Sequence, residues 1–201
     1  MFIIFTIHIN TIVVKFLQSK EGANLALEYI IRPETPSDYK EISLINYLAF
    51  GNKPNEANLI EAIRKSELFI PELSLVAVKD GEIIGLILFS QIFIETNEGE
   101  IPTIGLAPMS VKLEYQGIGI GSELVKVGLQ ACGKLGFSHV FVLGHSNFYP
   151  KFGFVPSQTS FGIECPYSVE DPYFMAIELK EDSLKGIKGK VRYPPAFETV
   201  S

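Results

Sequence analysis

The feature that most constrains the fold is a strand, a glycine-rich turn, an amphipathic helix and a second strand, which follow one another between residues 104 and 143. Ile104 to Val111 and Val140 to Leu143 are apolar runs, and the second has the composition of a strand covered on both faces. The helix carries its apolar residues on one side: Ile120, Leu124, Val127, Ala131 and Leu135. Strands joined through a helix are parallel neighbours with a right-handed crossover, so this unit predicts a parallel pair.

Antiparallel pairing is predicted for the segment that precedes this unit. Leu73 to Val78 and Glu82 to Phe93 flank Lys79-Asp80-Gly81, and Asp-Gly supplies the positive φ that a tight hairpin needs. The other predicted elements are strands at Tyr29 to Arg32, Gly153 to Val155 and Tyr173 to Leu179, and helices that begin at Pro36 to Asp38 and at Asn55 or Glu56. The sheet is therefore predicted to be mixed.

The two ends of the chain are predicted to lie outside the main domain, which we place at residues 29–180. Residues 1–28 form an extension of unknown role, with an extended apolar part and a polar connector at Gln18 to Leu25. A signal or membrane anchor is disfavoured because Lys15 interrupts the apolar run and no basic segment precedes it. Residues 181–201 are charged and contain glycine, so we expect a peripheral tail that packs on the domain or trails from it.

Composition excludes several classes of protein. The 201 residues are 47% hydrophobic with a net charge of -6, and the 17 basic residues are dispersed, so a nucleic-acid surface is not expected. Cys132 and Cys165 are too few for a disulfide scaffold and lack zinc-ligand spacing. We therefore expect a cytoplasmic protein with no metal and no membrane partner, and the sequence leaves a homodimer open.

The chemistry is indicated by Gln116-Gly117-Ile118-Gly119-Ile120-Gly121-Ser122, which precedes the amphipathic helix. Glycines at a helix N-terminus allow backbone amides to contact a phosphate, although they also allow close packing of strand and helix. A P-loop is excluded because Ser122 and Glu123 follow Gly121. A dinucleotide fingerprint, and with it a nicotinamide-dependent oxidoreductase, is disfavoured by Leu124 and His145.

These residues resemble the GCN5-related N-acetyltransferase (GNAT) family, whose central motif Gln116, Gly119 and Gly121 match. Leu106 to Tyr115 is similar to the preceding strand and loop, and Tyr149 with Gly153-Phe154 matches a second family signature. The resemblance covers Tyr29 to about Phe154. It implies an α/β (α+β) acyl-CoA N-acyltransferase fold, with a mixed, mostly antiparallel sheet, helices on both faces and one splayed parallel strand pair.

The resemblance also implies acetyl-CoA as co-substrate, with no metal. The residues that it assigns to acetyl-CoA are Met109, Ser110, Val111, Gln116, Gly117, Ile118, Gly119, Ile120, Gly121, Ser122 and Asn147. A backbone amide near Met109 would polarise the thioester. Many members carry an Asn where this chain has Val142, so contact from the second signature rests on Asn147.

The same resemblance gives Tyr149 the role of general acid toward the leaving thiolate, although Tyr149 could instead only cover the core. The base is left open among Glu95, Glu98 and His145. The simpler account of the two glutamates is that they are solvated charges at a strand end, while His145 could instead contact the acceptor or be a hydrogen-bonded loop histidine. Neither cysteine has the setting of a nucleophile, so direct transfer is expected.

The predicted function is N-acetylation of a primary amine on a small molecule, a peptide or a protein, and the alternative is a non-catalytic acyl-CoA-binding or sensing module. Residues 41–66 and 157–171 would select the acceptor. Their acids Glu56, Glu61 and Asp171 are compatible with a cationic amine or a Lys-bearing peptide, but scattered surface charge is the simpler account.

Overall fold

A computed structural model describes residues 3–8, 11–20 and 23–200. The strands are β1 (Ile3–His8), β2 (Thr11–Lys20), β3 (Ala23–Pro33), β4 (Ser74–Lys79), β5 (Glu82–Thr96), β6 (Gly99–Val111), β7 (His139–Leu143), β8 (Val155–Pro156), β9 (Ile163–Glu164), β10 (Phe174–Glu178) and β11 (Gly189–Arg192). The α-helices are α1 (Tyr39–Ala49), α2 (Asn55–Arg64), α3 (Ile120–Lys134) and α4 (Ser157–Phe161). Single 3-10 turns occupy Pro36–Asp38, Pro71–Leu73, Leu113–Tyr115, Tyr149–Phe152, Asp171–Tyr173 and Pro195–Val200. None of the helices in the described ranges is long and apolar enough to cross a membrane.

The strands form one mixed sheet in the order β1-β2-β3-β4-β5-β6-β7-β10-β8, with β11 beside β5 and β9. Pairing is antiparallel apart from β6 with β7 and β9 with β11. One core lies between the sheet and α3, and a second lies between the opposite face and helices α1 and α2. The predicted mixed fold with helices on both faces is therefore confirmed.

Strands β6 and β7 diverge after a short paired segment. They pair only from Ile104 to Leu106, although β6 continues to Val111. Opposite the single residue Leu88 of β5, β6 carries both Ala107 and Pro108, which is a β-bulge. Because proline has no N–H and a bulge bends its strand, β6 leaves β7 at this point. The predicted splayed pair is confirmed, and we call the gap between the two strands the slot.

The two ends of the chain are more closely joined to the sheet than the sequence indicated. The expected connector from Gln18 to Leu25 was wrong: apart from residues 21–22, which lie outside the described residues, it belongs to β2 and β3. At the other end, β11 pairs with β5 over Phe93 to Glu95, so this part of the tail packs on the domain and extends its sheet. The physical reason is that β4 covers β5 only as far as Leu88, which leaves the remaining edge of β5 open to pairing.

The predicted strand at Gly153 to Val155 is reduced to the two residues of β8. The 3-10 turn at Tyr149–Phe152 takes up the segment before it, and Gly153 ends that turn with φ +99°.

Two ion pairs fix α1 and α2 to the end of β3. Arg32 donates to both carboxylate oxygens of Asp38, at 2.6 and 2.9 Å, and the Thr35 amide adds a third bond at 2.7 Å. Arg64 of α2 donates to Glu34 from Nε (2.9 Å) and Nη2 (2.6 Å), and both of these side chains are almost fully buried. Removing one partner of a buried ion pair strongly destabilises a protein, because the other charge is left buried and unpaired. The pair therefore holds α2 in one position.

We predict that Asp38→Asn destabilises the protein by about 2 kcal/mol at pH 7. The hydrogen bonds from Arg32, followed by those from Thr35, lower the pKa of Asp38 to about 2 against the opposing effect of burial. The stability that this lowered pKa contributes is fully present at a pH above 3.8, the pKa of the carboxyl in the unfolded chain. It is lost as the pH falls towards 2.

Urea denaturation between pH 7 and pH 3 measures this difference. The difference in the free energy of unfolding between wild type and Asp38→Asn should become smaller below pH 4. Asp182→Asn is the control: its ion pair with Lys185 is exposed, so it should change stability by less than about 0.5 kcal/mol. A stability difference that does not change with pH would contradict the stabilising role of the lowered Asp38 pKa.

Candidate active site

The glycine loop presents backbone amides to one cleft. Gly117 and Gly119 have φ values of +76° and +99°, which other residues rarely adopt, and Gly119 is the N-cap of α3. The first hydrogen bond of the helix runs from the Glu123 amide to the Gly119 carbonyl (3.1 Å). The three amides before it, at residues 120–122, therefore have no acceptor within the helix and carry its positive dipole charge. This end of α3 is suited to an anion.

The cleft beside this loop, here the glycine cleft, has a volume of about 510 Å³. The residues predicted from the sequence that line it are Met109, Ser110, Val111, Gln116, Gly117, Gly119, Ile120, Gly121 and Ser122. Ile118 does not line it, because its side chain packs against the core under α3. Gln116 braces the loop, since its Nε2 donates to the Val111 carbonyl at 2.9 Å.

Lys151 is a functional candidate that the sequence analysis missed. Its Nζ donates to Ser122 Oγ (2.9 Å) and lies 3.9 Å from the centre of the Phe148 ring. It therefore places a positive charge beside the free amides of α3. The signal was available in Tyr149-Pro150-Lys151, but only the fold brings that segment to the glycine loop.

The edge of β6 that faces the slot can be read from the ladder. The Lys112 amide donates to the Ile84 carbonyl of β5 (3.0 Å). The backbone N–H and C=O groups of successive residues point to opposite edges of a strand. Those of Ser110 therefore also face β5, while those of Met109 and Val111 face the slot. The Ser110 side chain is buried and donates to Asn46 Oδ1 (3.3 Å).

A second space, here the large cavity, has a volume of about 980 Å³. Its walls are the β6 segment Leu106 to Met109, the connection from Leu143 to Tyr149 that follows β7, and several aromatic residues of later segments. Four residues line both this cavity and the glycine cleft: Phe50, Met109, His145 and Phe148. The two spaces therefore adjoin at the slot, and the exposed His145 lies at their junction.

Tyr149 lines the large cavity and is only 7% exposed. Its ring makes edge contacts with Phe148 and Phe154, at centroid distances of 5.1 and 5.6 Å. Gly144 makes room for it, because a Cβ there would lie 2.5 Å from Cε2 of the tyrosine ring. Burial raises the pKa of Tyr149 to about 12, so at neutral pH its hydroxyl is a hydrogen-bond donor.

Glu95 and Glu98 do not lie at the slot, which corrects the expected position of both. Strand β5 passes the slot where Ile87 pairs with Met109, and Glu95 follows eight residues later, roughly 26 Å away at about 3.3 Å per residue. Glu95 instead lies 3.2 Å from the Arg192 guanidinium of β11. Asn147 lines the large cavity and not the glycine cleft.

Glu56 and a set of aromatic side chains complete the large cavity. Glu56 is in the first turn of α2, and its Oε2 is buried without a hydrogen-bond partner. The aromatic residues beyond Phe148 and Tyr149 are Phe50, Tyr167, Tyr173, Tyr193 and Phe197. Tyr193 and Phe197 come from the segment expected to be a peripheral tail, so no pattern in the sequence placed them at this cavity.

The described residues offer no metal site and no reactive thiol in either space. They contain no group of three or more His, Cys, Asp or Glu side chains arranged to hold a metal ion. Burial raises the pKa of Cys132 to about 12 and also raises the pKa of Cys165, so both thiols are held in the protonated form.

Comparison with known proteins gives consistent matches. The family model for the acetyltransferase (GNAT) domain matches residues 71–156. The uncharacterised N-acetyltransferase YjhQ of Escherichia coli K12 is 36% identical over 140 residues, which cover 68% of this chain and 75% of YjhQ. The uncharacterised N-acetyltransferase YhbS of the same strain is 30% identical over 169 residues, covering 84% of this chain and 98% of YhbS.

Two solved structures are similar over most of their length. The structure of Escherichia coli YhbS in complex with CoA superposes with a TM-score of 0.79 at 28% identity, covering 89% of this chain and 96% of YhbS. A GNAT family acetyltransferase of Brucella melitensis in complex with acetyl-CoA gives a TM-score of 0.68 at 30% identity, covering 84% of this chain and 97% of the Brucella melitensis protein. The similarity therefore extends well beyond the glycine loop.

The geometry of the glycine cleft predicts an anion site that can be tested with inorganic pyrophosphate. Wild type should bind it, Gly121→Glu should abolish binding by placing a carboxylate at the amides, and Lys151→Gln should weaken binding about fivefold. Calorimetric titration measures these affinities. Lys134→Gln, at the other end of α3, makes the same charge change as a control and should leave the affinity unchanged. Equal binding by wild type and Gly121→Glu would contradict the site.

Proposed function

Because the chain belongs to the GNAT family of acetyltransferases, we propose that it transfers the acetyl group of acetyl-CoA to a primary amine by direct attack at the slot. Family membership confirms the resemblance drawn from the glycine loop and from the second signature. The observation that carries the proposal is the set of walls shared by the glycine cleft and the large cavity. An anionic carrier and an acceptor bound in the two spaces would meet beside Met109 and His145.

The glycine cleft fits the phosphate end of acetyl-CoA. The free amides at residues 120–122 and the Lys151 ammonium would bind the pyrophosphate. The pantetheine arm would then follow β6, where Met109 and Val111 turn backbone groups toward the slot. Two structures support this assignment, since the YhbS and Brucella melitensis proteins were crystallised with CoA and acetyl-CoA.

The thioester carbonyl would accept a hydrogen bond from the Met109 amide. That amide faces the slot because Met109 lies between the β6 residues that bond to β5. A donor fixed in the backbone stabilises the negative charge that develops on the carbonyl oxygen during attack, and it needs no reorganisation at that moment.

His145 is the proposed base. An alkylamine has a pKa near 10.4 and is mostly protonated at neutral pH, so it must lose a proton before it can attack. Among the three bases suggested by the sequence, only His145 lines the two spaces. It would accept this proton directly or through one water molecule.

Tyr149 is the proposed general acid. As the new N–C bond forms and the C–S bond breaks, its hydroxyl would donate a proton to the leaving sulfur. The attacking nitrogen would release its remaining excess proton to solvent as the amide forms, and the phenolate would take a proton back from solvent. Burial keeps Tyr149 protonated until that step. The protonated, buried state of Cys132 and the protonated state of Cys165 support direct transfer without a covalent enzyme intermediate.

Tyr149→Phe is predicted to lower kcat about 100-fold while leaving the affinity for acetyl-CoA unchanged, because only the hydroxyl is lost. Steady-state turnover and calorimetric binding of acetyl-CoA measure the two quantities. Tyr47→Phe, on the exposed side of α1, is the matched control. Full turnover by Tyr149→Phe would assign Tyr149 to packing alone. Acetyl-CoA binding by a wild-type protein that acetylates no amine would favour the sensing module.

His145→Gln is predicted to lower kcat about 100-fold at pH 7 and by much less near pH 10, because amines deprotonate there without a base. A pH–rate profile of both proteins measures this convergence. Glu95→Gln should stay within about twofold of wild type at each pH, since Glu95 lies far from the slot. A defect of His145→Gln that does not change with pH, or a larger defect in Glu95→Gln, would exclude His145 as the base.

A further inference from the structure

The large cavity has an unpaired negative charge in its wall. Glu56 is the one carboxylate among its lining residues, and neither Lys nor Arg lines it in the described part of the chain. Its Oε2 is buried, with no hydrogen-bond partner. Leaving a buried carboxylate oxygen unpaired is costly when it is charged, so a cation bound in the cavity beside Glu56 would offset part of this cost.

The start of α2 explains why a carboxylate is tolerated there. Glu56 is the second residue of the helix, where the helix dipole favours a negative charge. The Arg64–Glu34 ion pair at the other end of α2 keeps that helix against the sheet. Neither feature supplies a donor to Oε2, so the only carboxylate in the described wall of the cavity lacks a protein partner at this oxygen.

Aromatic rings surround the same space. Tyr193 stacks on Tyr167 with a centroid distance of 5.6 Å, and it contacts Phe197 at 4.9 Å. Phe50 lines the cavity from the end of α1. Ring faces attract organic cations, and cages of aromatic side chains are a recurring recognition site for quaternary ammonium groups.

We propose that the acceptor is a small aliphatic diamine, whose second, unreactive ammonium group binds between Glu56 and the rings of Tyr167, Tyr193 and Phe197. This inference rests on the proposed acetyl transfer, because it identifies the acceptor of that reaction. One carboxylate matches one ammonium charge, while the other amine must reach His145 and lose its proton to attack. The cavity volume of about 980 Å³ is within the range of small-molecule sites. The net charge of -6 favours the approach of cations.

A matched pair of acceptors tests the charge requirement. Wild type should acetylate 1,5-diaminopentane with kcat/KM at least about tenfold higher than n-pentylamine, which has the same chain and no second charge. Glu56→Gln should lose about tenfold on the diamine and less than about twofold on the monoamine. Glu67→Gln removes the same charge from an exposed position after α2 and should behave as wild type. Equal rates on both amines, unaffected by Glu56→Gln, would overturn the inference while leaving acetyl transfer intact.

A binding measurement separates this inference from the proposed function. Calorimetric titration with butyltrimethylammonium, which cannot be acetylated, should show binding to wild type. Binding should be at least about tenfold weaker in Glu56→Gln and in Tyr193→Leu, and absent for the uncharged 3,3-dimethylbutan-1-ol. Cation binding without turnover on any amine would support the ammonium site and reject the transferase role. Turnover on an amine without binding of the cation would support the transferase role and reject the ammonium site.

Discussion

The divergence of β6 from β7 is the constraint on which the rest of this structure depends. The two strands are joined at one end, where Thr103 Oγ1 is hydrogen-bonded to His139 Nδ1 (2.5 Å) and three residue pairs follow. The bulge at Ala107 and Pro108 then turns β6 away. A sheet that stayed paired to Val111 would leave no slot, and the backbone of Met109 would bond to β7 instead of facing a ligand. The glycine cleft and the large cavity both open from this gap.

Backbone and side chains divide the work at the site. In the proposed mechanism, the phosphate end would rely on amides of α3 and on the edge of β6, and these need only the right local conformation. The proposed acceptor end would rely on side chains from distant segments: Glu56 from α2, Tyr167 from a loop, and Tyr193 and Phe197 from the C-terminal segment. The buried Arg64–Glu34 pair and the Asp38 network hold α1 and α2 in place, so their contribution to function is positional.

The sequence predicted what local patterns determine. The hairpin at Asp80-Gly81, the helix after the glycine loop and the parallel pair around it each follow from spacing within about 40 residues, and the structure has all three. The position of Glu95 could not be predicted, because it depends on the β5–β6 register and on the length of a 15-residue strand. The aromatic wall was missed for a similar reason: β11 pairs with an edge of β5 about 95 residues earlier in the chain, and no local signal in a charged, glycine-containing tail indicates such pairing.

A crystal structure of the protein with CoA would show whether the slot between β6 and β7 is the cofactor site. We expect the pyrophosphate on the amides at residues 120–122, the pantetheine arm hydrogen-bonded to Met109 and Val111, and the sulfur beside Tyr149 with His145 across the gap. CoA bound away from the glycine cleft, or a pantetheine arm that makes no backbone bonds to β6, would contradict it.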